Sequence, residues 1–73
     1  MRHVVEVTYE GYDRDVDDTI RKAAKRWDDG SGASFLRGKT VRDLTFSFYT
    51  GPAARRACAR IRRIRGVRVQ VLS

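Results

Sequence analysis

The chain has 73 residues, of which 41% are hydrophobic and 34% are charged, and its formal net charge at pH 7 is +7. This composition is typical of a globular protein and excludes a disordered or membrane-spanning chain. The length provides for one thin core, without a second domain or a deep pocket, so we expect a single domain over residues 1–73.

The N-terminal segment predicts a half-buried strand. Hydrophobic residues alternate over residues 3–9, which places Val5, Val7 and Tyr9 on one face. The segment lacks the apolar core of a signal peptide, and the chain has a single cysteine. Both features predict a cytoplasmic protein that is not secreted.

Residues 15–27 predict an amphipathic helix. Asp15 is the expected N-cap, with Asp18 at capping-box spacing. The pairs Asp17–Arg21 and Asp18–Lys22 have i,i+4 spacing and are expected on the solvent-exposed face. The apolar stripe of this helix consists of Val16, Ile20, Ala23, Ala24 and Trp27.

Residues 28–34 predict a loop, which is followed by a hairpin of a short strand near 34–37 and a longer strand over 43–50. Leu44, Phe46 and Phe48 share the core face of the longer strand. A tight turn at Gly38-Lys39 would place Val41 on the face opposite Phe46. A longer loop or a β-bulge is therefore an alternative, and the register of the hairpin stays open.

The C-terminal part predicts a second helix and a last strand. Pro52 occupies the first helical position and Gly66 ends the helix, which gives a helix over 52–65. In the strand over 67–73, Val67, Val69 and Val71 face inward. The apolar stripe of the helix consists of Ala54, Ala57, Cys58, Ile61 and Ile64.

The order strand, helix, strand, strand, helix, strand resembles the ferredoxin-like superfold. The resemblance implies an α+β sandwich, with two helices on one face of a four-stranded antiparallel sheet. It rests on topology alone and points to no particular family. Because this fold supports many unrelated functions, it does not imply one here.

Several motifs that suggest catalysis or metal binding fail on spacing. The stretch "GSGASFLRGKT" has one residue too many for a phosphate-binding loop and leads into a strand instead of a helix. The alternating acids of "DRDVDD" lack the glycine and glutamate that a calcium loop requires. Cys58 is expected in the core, and His3 is the only histidine. We therefore expect no enzyme, no metal, no cofactor and no small-molecule substrate.

Two families that share this topology differ in their functional residues. Acylphosphatases use an asparagine, and this chain contains none. RNA-recognition motifs expose aromatic residues on the open face of the sheet. Here the core requires Leu44, Phe46 and Phe48, which leaves Tyr49 as the one aromatic candidate for stacking on that face.

The positive charge is concentrated at the C-terminal end of the chain. Residues 1–43 carry nine Lys or Arg and nine Asp or Glu, whereas residues 44–73 carry seven arginines and no acidic residue. A surface that serves only solubility mixes both signs. We therefore interpret the chain as a non-catalytic binding module that contacts a polyanion, the RNA or DNA backbone, through its second helix. The candidate residues are Arg55, Arg56, Arg60, Arg62, Arg63, Arg65 and Arg68.

Other interpretations stay open at this point. The same arginines also fit an acidic protein surface. A membrane partner is not expected, because the apolar face of the helix is needed for the core. A designed or redesigned scaffold without a biological function is also compatible with the regular helix caps and consistently apolar core positions. An outer strand edge offers a pairing surface, but we expect a monomer rather than a dimer.

Overall fold

The computed structural model describes residues 2–72 and contains six elements of secondary structure. The strands pair in one antiparallel sheet of order β2-β3-β1-β4, and both helices pack on the same face of it. This is the ferredoxin-like α+β sandwich that the sequence predicted. The elements are β1 (His3–Glu10), α1 (Arg14–Ala24), β2 (Gly30–Leu36), β3 (Lys39–Phe48), α2 (Gly51–Ile61) and β4 (Val67–Val71).

The core lies between the two helices and the sheet face that they cover. Alternate residues of β1 and β3 form the sheet side of the core, as the period-2 patterns predicted. The apolar stripes of the two helices form its other side. The predicted core positions of these four elements are confirmed except for Trp27. The buried hydrophobic residues are Val5, Val7, Tyr9, Ile20, Ala24, Leu44, Phe46, Phe48, Ala54, Ala57, Cys58 and Ile61.

The first helix begins earlier than predicted. Asp13, with an extended backbone, is the N-cap, and its carboxylate accepts a hydrogen bond of 2.9 Å from the Asp15 amide. The prediction that Asp15 is the N-cap is therefore wrong. A cap at position 13 starts the helix at Arg14, and the i, i+3, i+7 spacing of Asp17, Ile20 and Ala24 places these three on its buried stripe.

The first helix also ends earlier than predicted. Lys25 adopts the left-handed conformation, with φ of 61°, and its amide hydrogen-bonds back to the last turn. This reversal ends the helix at Ala24 and carries Trp27 out to solvent, where its side chain is 74% exposed. The prediction that Trp27 belongs to the apolar stripe is wrong.

The hairpin is longer and more regular than predicted. β2 begins at Gly30, inside the predicted loop, and pairs with β3 without a bulge from Gly30 opposite Thr45 to Leu36 opposite Lys39. The turn consists of Arg37 and Gly38, both with positive φ, as the two-residue turns that match strand twist require. Val41 therefore lies on the open face of the sheet, opposite to Phe46, without any bulge.

The second helix is shorter than the predicted range of 52–65. Thr50 is its N-cap and accepts a hydrogen bond from the Ala53 amide. After Ile61 the chain continues in tight turns, in which the Ile64 amide bonds to the Ile61 carbonyl, before Gly66 with φ of 83° leads into β4.

The last strand follows its prediction in part. Val67 and Val69 pack against the core, and Val71 lies opposite the buried Val5 on the same face of the sheet, as predicted, although it is 39% exposed at the end of the strand. Ser73, to which the predicted strand extended, lies outside the described residues. Over residues 2–72, neither helix has the length and apolar character that crossing a bilayer requires.

Candidate functional site

Two of the predicted arginines lie in the middle of α2. Arg55 and Arg56 are exposed, while Ala54, Ala57 and Cys58 on the other side of the helix are buried. Small apolar residues let α2 lie close to the sheet, and the long cationic side chains occupy the side that remains in water.

Three more arginines continue this surface beyond the end of α2. Arg62 is the C-cap, and Arg63 and Arg65 lie in the turns that lead to β4; all three are exposed. The carbonyl end of a helix carries a partial negative charge, which stabilises cations gathered there. We define the arginine cluster as Arg55, Arg56, Arg62, Arg63 and Arg65.

No ion pair involves the arginine cluster anywhere in residues 2–72. The paired carboxylates of the described chain serve other cations. Asp18 and Asp28 bind Arg21, Asp17 binds Arg42, and Glu10 lies 3.9 Å from Lys39. Within the described residues, no ion pair therefore offsets the positive charge of the cluster.

Arg60 has a structural contact that the sequence did not indicate. Its Nε donates a hydrogen bond of 2.6 Å to the Ala23 carbonyl in the last turn of α1. The last carbonyls of a helix have no partner within the helix. Arg60 therefore caps α1 and links the two helices, and we do not count it in the arginine cluster.

Arg68 lies apart from the other predicted site residues. It is opposite Thr8 in the pairing of β4 with β1, on the open face of the sheet. There it borders a shallow depression of about 390 Å³ that also contains Glu6 and Gln70. The sheet separates Arg68 from α2, so the structure does not bring it together with the cluster.

A buried ionic network lies beneath α1. Arg42, on the core face of β3, binds the Asp17 carboxylate through Nη2 at 2.9 Å and through Nε at 3.2 and 3.3 Å. Asp17 is 3% exposed and Arg42 is 6% exposed. Tyr9 donates its hydroxyl hydrogen to Asp17 at 2.5 Å, and the Arg42 guanidinium carbon lies 4.5 Å from the centre of the Tyr12 ring.

This network keeps Asp17 ionised inside the protein. Burial alone raises the pKa of Asp17, but the hydrogen bonds from Arg42 and Tyr9 and the positive charge of Arg42 hold that pKa below its ordinary value. Burial and the hydrogen bond to Asp17 raise the pKa of Tyr9. All buried polar side-chain atoms in the described residues have partners. The network therefore fixes α1 on the sheet.

Sequence reasoning placed Asp17 on the wet face of α1 and missed this network. The Asp17–Arg21 pair that it predicted is replaced by Asp17–Arg42 and by Arg21 with Asp18 and Asp28. A signal was present, since Arg42 has the same parity as Leu44 and Phe46. Two opposite charges at core-facing positions of neighbouring elements indicate a buried pair.

The remaining reactive side chains give no catalytic arrangement within the described residues. Burial raises the pKa of the Cys58 thiol, which keeps it protonated and a poor nucleophile. Residues 2–72 contain no group of three or more His, Cys, Asp or Glu side chains placed to hold a metal ion. That the chain is not an enzyme stays a prediction.

Comparison of the chain with models of protein families, with curated proteins and with solved structures gives no match. The geometry and the charge of the surfaces described above therefore provide the basis for a functional proposal.

Proposed function

We propose that this protein is a small binding module that holds the phosphate backbone of a nucleic acid on its arginine cluster. The observation that carries the proposal is the set of five exposed guanidinium groups without a carboxylate partner in residues 2–72. Phosphate neutralisation by such groups releases counterions, which supplies affinity without base recognition.

The spacing of the arginines suits a repeating anion. Arg55 and Arg62 are seven residues apart and lie about 10 Å apart along the helix axis. Arg56 and Arg63 are also seven residues apart in sequence, with Arg63 in the turns that follow the helix. A polyanion with closely spaced phosphates is able to meet several of these side chains at once, whereas a single small anion meets one or two.

Amphipathicity alone accounts for polar residues on the outer side of α2 but not for their single sign. Like charges at i,i+4, such as Arg56 and Arg60, weaken a helix. The first helix carries both signs, with Asp15 and Asp17 in its first turn and Arg21 and Lys22 in its last, and Arg21 pairs with Asp18. A binding role for α2 explains why its sequence has no acidic residue.

The test is a titration of a labelled duplex oligonucleotide, followed by fluorescence anisotropy over a series of salt concentrations. We expect binding that tolerates changes of sequence and weakens steeply as salt rises. The double variant Arg56→Gln/Arg63→Gln removes two phosphate contacts. It is expected to lower the slope of log K against log salt by about 1.8 and the affinity near 0.1 M salt by roughly fifty-fold.

A matched control removes two cations elsewhere. Arg14 and Lys39 are exposed and lie outside the cluster, so Arg14→Gln/Lys39→Gln changes the net charge by the same amount. It should leave the slope close to that of the unmodified protein. Equal losses of duplex affinity in both double variants would overturn the proposal. They would show that the duplex is attracted by the net positive charge of the protein and not by the cluster.

Two further outcomes also decide against the proposal. Absence of binding at low salt would favour a scaffold without a binding role. Binding to an acidic polypeptide but not to the duplex would assign the cluster to a protein partner.

A further inference from the structure

The most exposed aromatic surface near α1 is the side chain of Trp27. The left-handed Lys25 ends the helix and turns the chain so that Trp27, the only tryptophan, is 74% exposed. An apolar ring of this size gains nothing for the core in that position. Tryptophan and tyrosine are enriched at surfaces that bind a partner, because each has a large apolar ring and a polar group.

The indole ring is held in place from one side. The Arg21 guanidinium carbon lies 4.7 Å from the ring centre. Arg21 is itself fixed by Asp28, at 2.7 Å from its Nε, and by Asp18, at 3.3 Å from its Nη1. One face of Trp27 thus rests on an anchored cation, and its high exposure leaves the remaining surface open to a planar ligand.

Cations surround this ring. Trp27 borders a shallow depression of about 480 Å³ whose other lining residues are Asp18, Arg21, Lys22, Lys25 and Arg26. Lys22 and Lys25 are exposed and form no ion pair in the part of the chain that the structure describes. An aromatic ring beside uncompensated cations suits a ligand that is both planar and anionic.

A second exposed aromatic residue adjoins this region. Tyr49 is 77% exposed, and the Arg2 guanidinium carbon lies 5.9 Å from its ring centre. Both residues border a smaller depression of about 90 Å³ that shares Arg26 with the depression at Trp27. Arg26 is positioned by the Ser47 carbonyl, to which it donates a hydrogen bond, and by the Phe48 ring.

We propose that Trp27 stacks on an unpaired base of a single-stranded nucleic acid, while Lys22 and Lys25 hold its phosphates and Tyr49 supplies a second stacking surface. This inference rests on the proposed function and adds a second site, which distinguishes single strands from duplexes. Bases in a duplex are already stacked and paired, so their faces are closed to Trp27. In a single strand every base offers a face, and aromatic stacking is tolerant of sequence.

The single tryptophan makes the experiment specific to this site. An oligothymidylate should quench the fluorescence of Trp27, whereas a duplex of the same length should bind with little quenching. In anisotropy with labelled oligonucleotides, Trp27→Leu should weaken binding of the single strand by about tenfold. The same variant should leave binding of the duplex unchanged.

Two companion variants separate stacking from other effects. Trp27→Phe keeps an aromatic ring and should restore much of the affinity for the single strand. Phe35 is an equally exposed aromatic residue on β2, at a distance in sequence from the proposed site, so Phe35→Leu is the matched control. Phe35→Leu should change neither the affinity for the single strand nor the affinity for the duplex.

The outcomes separate this inference from the proposed function. Binding of both oligonucleotides without quenching, and with Trp27→Leu unchanged, overturns the stacking site and leaves the arginine cluster intact. Quenching by the single strand without any binding of the duplex supports the stacking site and contradicts the cluster. Quenching by polyglutamate but not by oligothymidylate assigns the site to an acidic peptide and overturns the inference.

Discussion

The two helices have the same length but differ in whether their charged side chains form ion pairs. α1 and α2 each contain eleven residues and pack on the same face of the sheet. Three charged residues of α1 are paired within the molecule, Asp17 with Arg42 and Arg21 with both Asp18 and Asp28. The exposed arginines of α2 have no carboxylate in their sequence neighbourhood and no ion pair in residues 2–72.

This difference shows that the environment of an arginine decides its role. Arg42 is buried and bidentate, so removing its partner leaves an uncompensated charge in the core. Arg56 is in water and its loss costs the fold little. The arginines that serve the fold and those available to a partner are therefore separable by single substitutions.

The largest effect is expected at the buried pair. Arg42→Met leaves Asp17 buried and unpaired, and we expect the free energy of unfolding to fall by about 3–5 kcal/mol, measured by urea denaturation. Such a loss is large for a domain of this size, so the variant is expected to be partly unfolded at ambient temperature.

The double variant Asp17→Leu/Arg42→Met keeps that prediction testable even if the single variant does not fold. It removes both charges, and its stability should return to within about 1 kcal/mol of the unmodified protein or exceed it. The Asp13 carbonyl, 2.9 Å from the Tyr9 hydroxyl, remains as an acceptor. A double variant as unstable as Arg42→Met would contradict the pairing.

A smaller effect is expected at Arg60, which donates a hydrogen bond from α2 to the last turn of α1. Arg60→Met keeps the aliphatic stem but removes the hydrogen bond to the Ala23 carbonyl. The free energy of unfolding should therefore fall by about 1–2 kcal/mol, measured by urea denaturation. Arg56→Met, the matched control on the same helix, should change stability by less than about 0.5 kcal/mol.

The effects on duplex binding should have the reverse order, with Arg56→Met weakening binding more than Arg60→Met. Arg56→Met should lower the salt slope of duplex binding by about 0.9, and Arg60→Met by less. Equal stability losses in the two variants would remove the distinction between Arg60 and the cluster.

Lowering the pH should reduce stability through the buried carboxylate of α1. The arginines of α2 stay charged and should not contribute to this loss. Hydrogen bonds and the positive charge of Arg42 outweigh burial and hold the pKa of Asp17 below its unfolded value of about 3.9. A depressed carboxyl pKa contributes stability that is complete above the unfolded pKa and is lost as the pH falls through the folded one. Denaturation at a series of pH values should therefore show a decline beginning near pH 4.

The same double variant, Asp17→Leu/Arg42→Met, is the control for acid sensitivity. Its decline should be shallower, because Asp17 no longer takes up a proton on unfolding. Some decline should remain, since hydrogen bonds from the Ser47 side chain and from its backbone amide also lower the pKa of Asp29. Identical pH profiles for the two proteins would show that Asp17 is not ionised in the core.

A small effect on stability is also expected at Trp27. Because its ring is largely in water, Trp27→Leu should change the free energy of unfolding by less than about 1 kcal/mol. A core tryptophan of the kind that the apolar stripe predicted would cost about 3–5 kcal/mol on truncation. A loss in that range would place Trp27 in the core and remove the proposed stacking site.

The fold was predictable because its period-2 and period-3.6 patterns are unambiguous. Val5 and Val7 in β1, and Leu44 and Phe46 in β3, lie where alternation placed them. The ends of α1 were less predictable. Asp13 and Asp15 are both suitable N-caps by residue type, and the left-handed Lys25 is not a residue that usually ends a helix.

The candidate site residues were predictable only where the spacing of residues along one helix or strand determines which side chains are exposed. Periodicity placed Arg55 and Arg56 on the outer side of α2, as the structure has them. The contact of Arg60 with Ala23 depends on how two helices pack, which no local pattern encodes. Alternation along β4 places Arg68 on the open face, so the prediction that Arg68 acts together with the arginines of the second helix conflicts with that pattern.

The most direct test of the arginine cluster is an NMR titration of arginine side-chain Nε–H groups with a duplex oligonucleotide. The account predicts that the signals of Arg55, Arg56, Arg62 and Arg63 shift while those of Arg14 and Arg42 stay in place. Shifts at Arg14 and Arg37 with the cluster unmoved would contradict it, as would a spectrum that the duplex leaves unchanged.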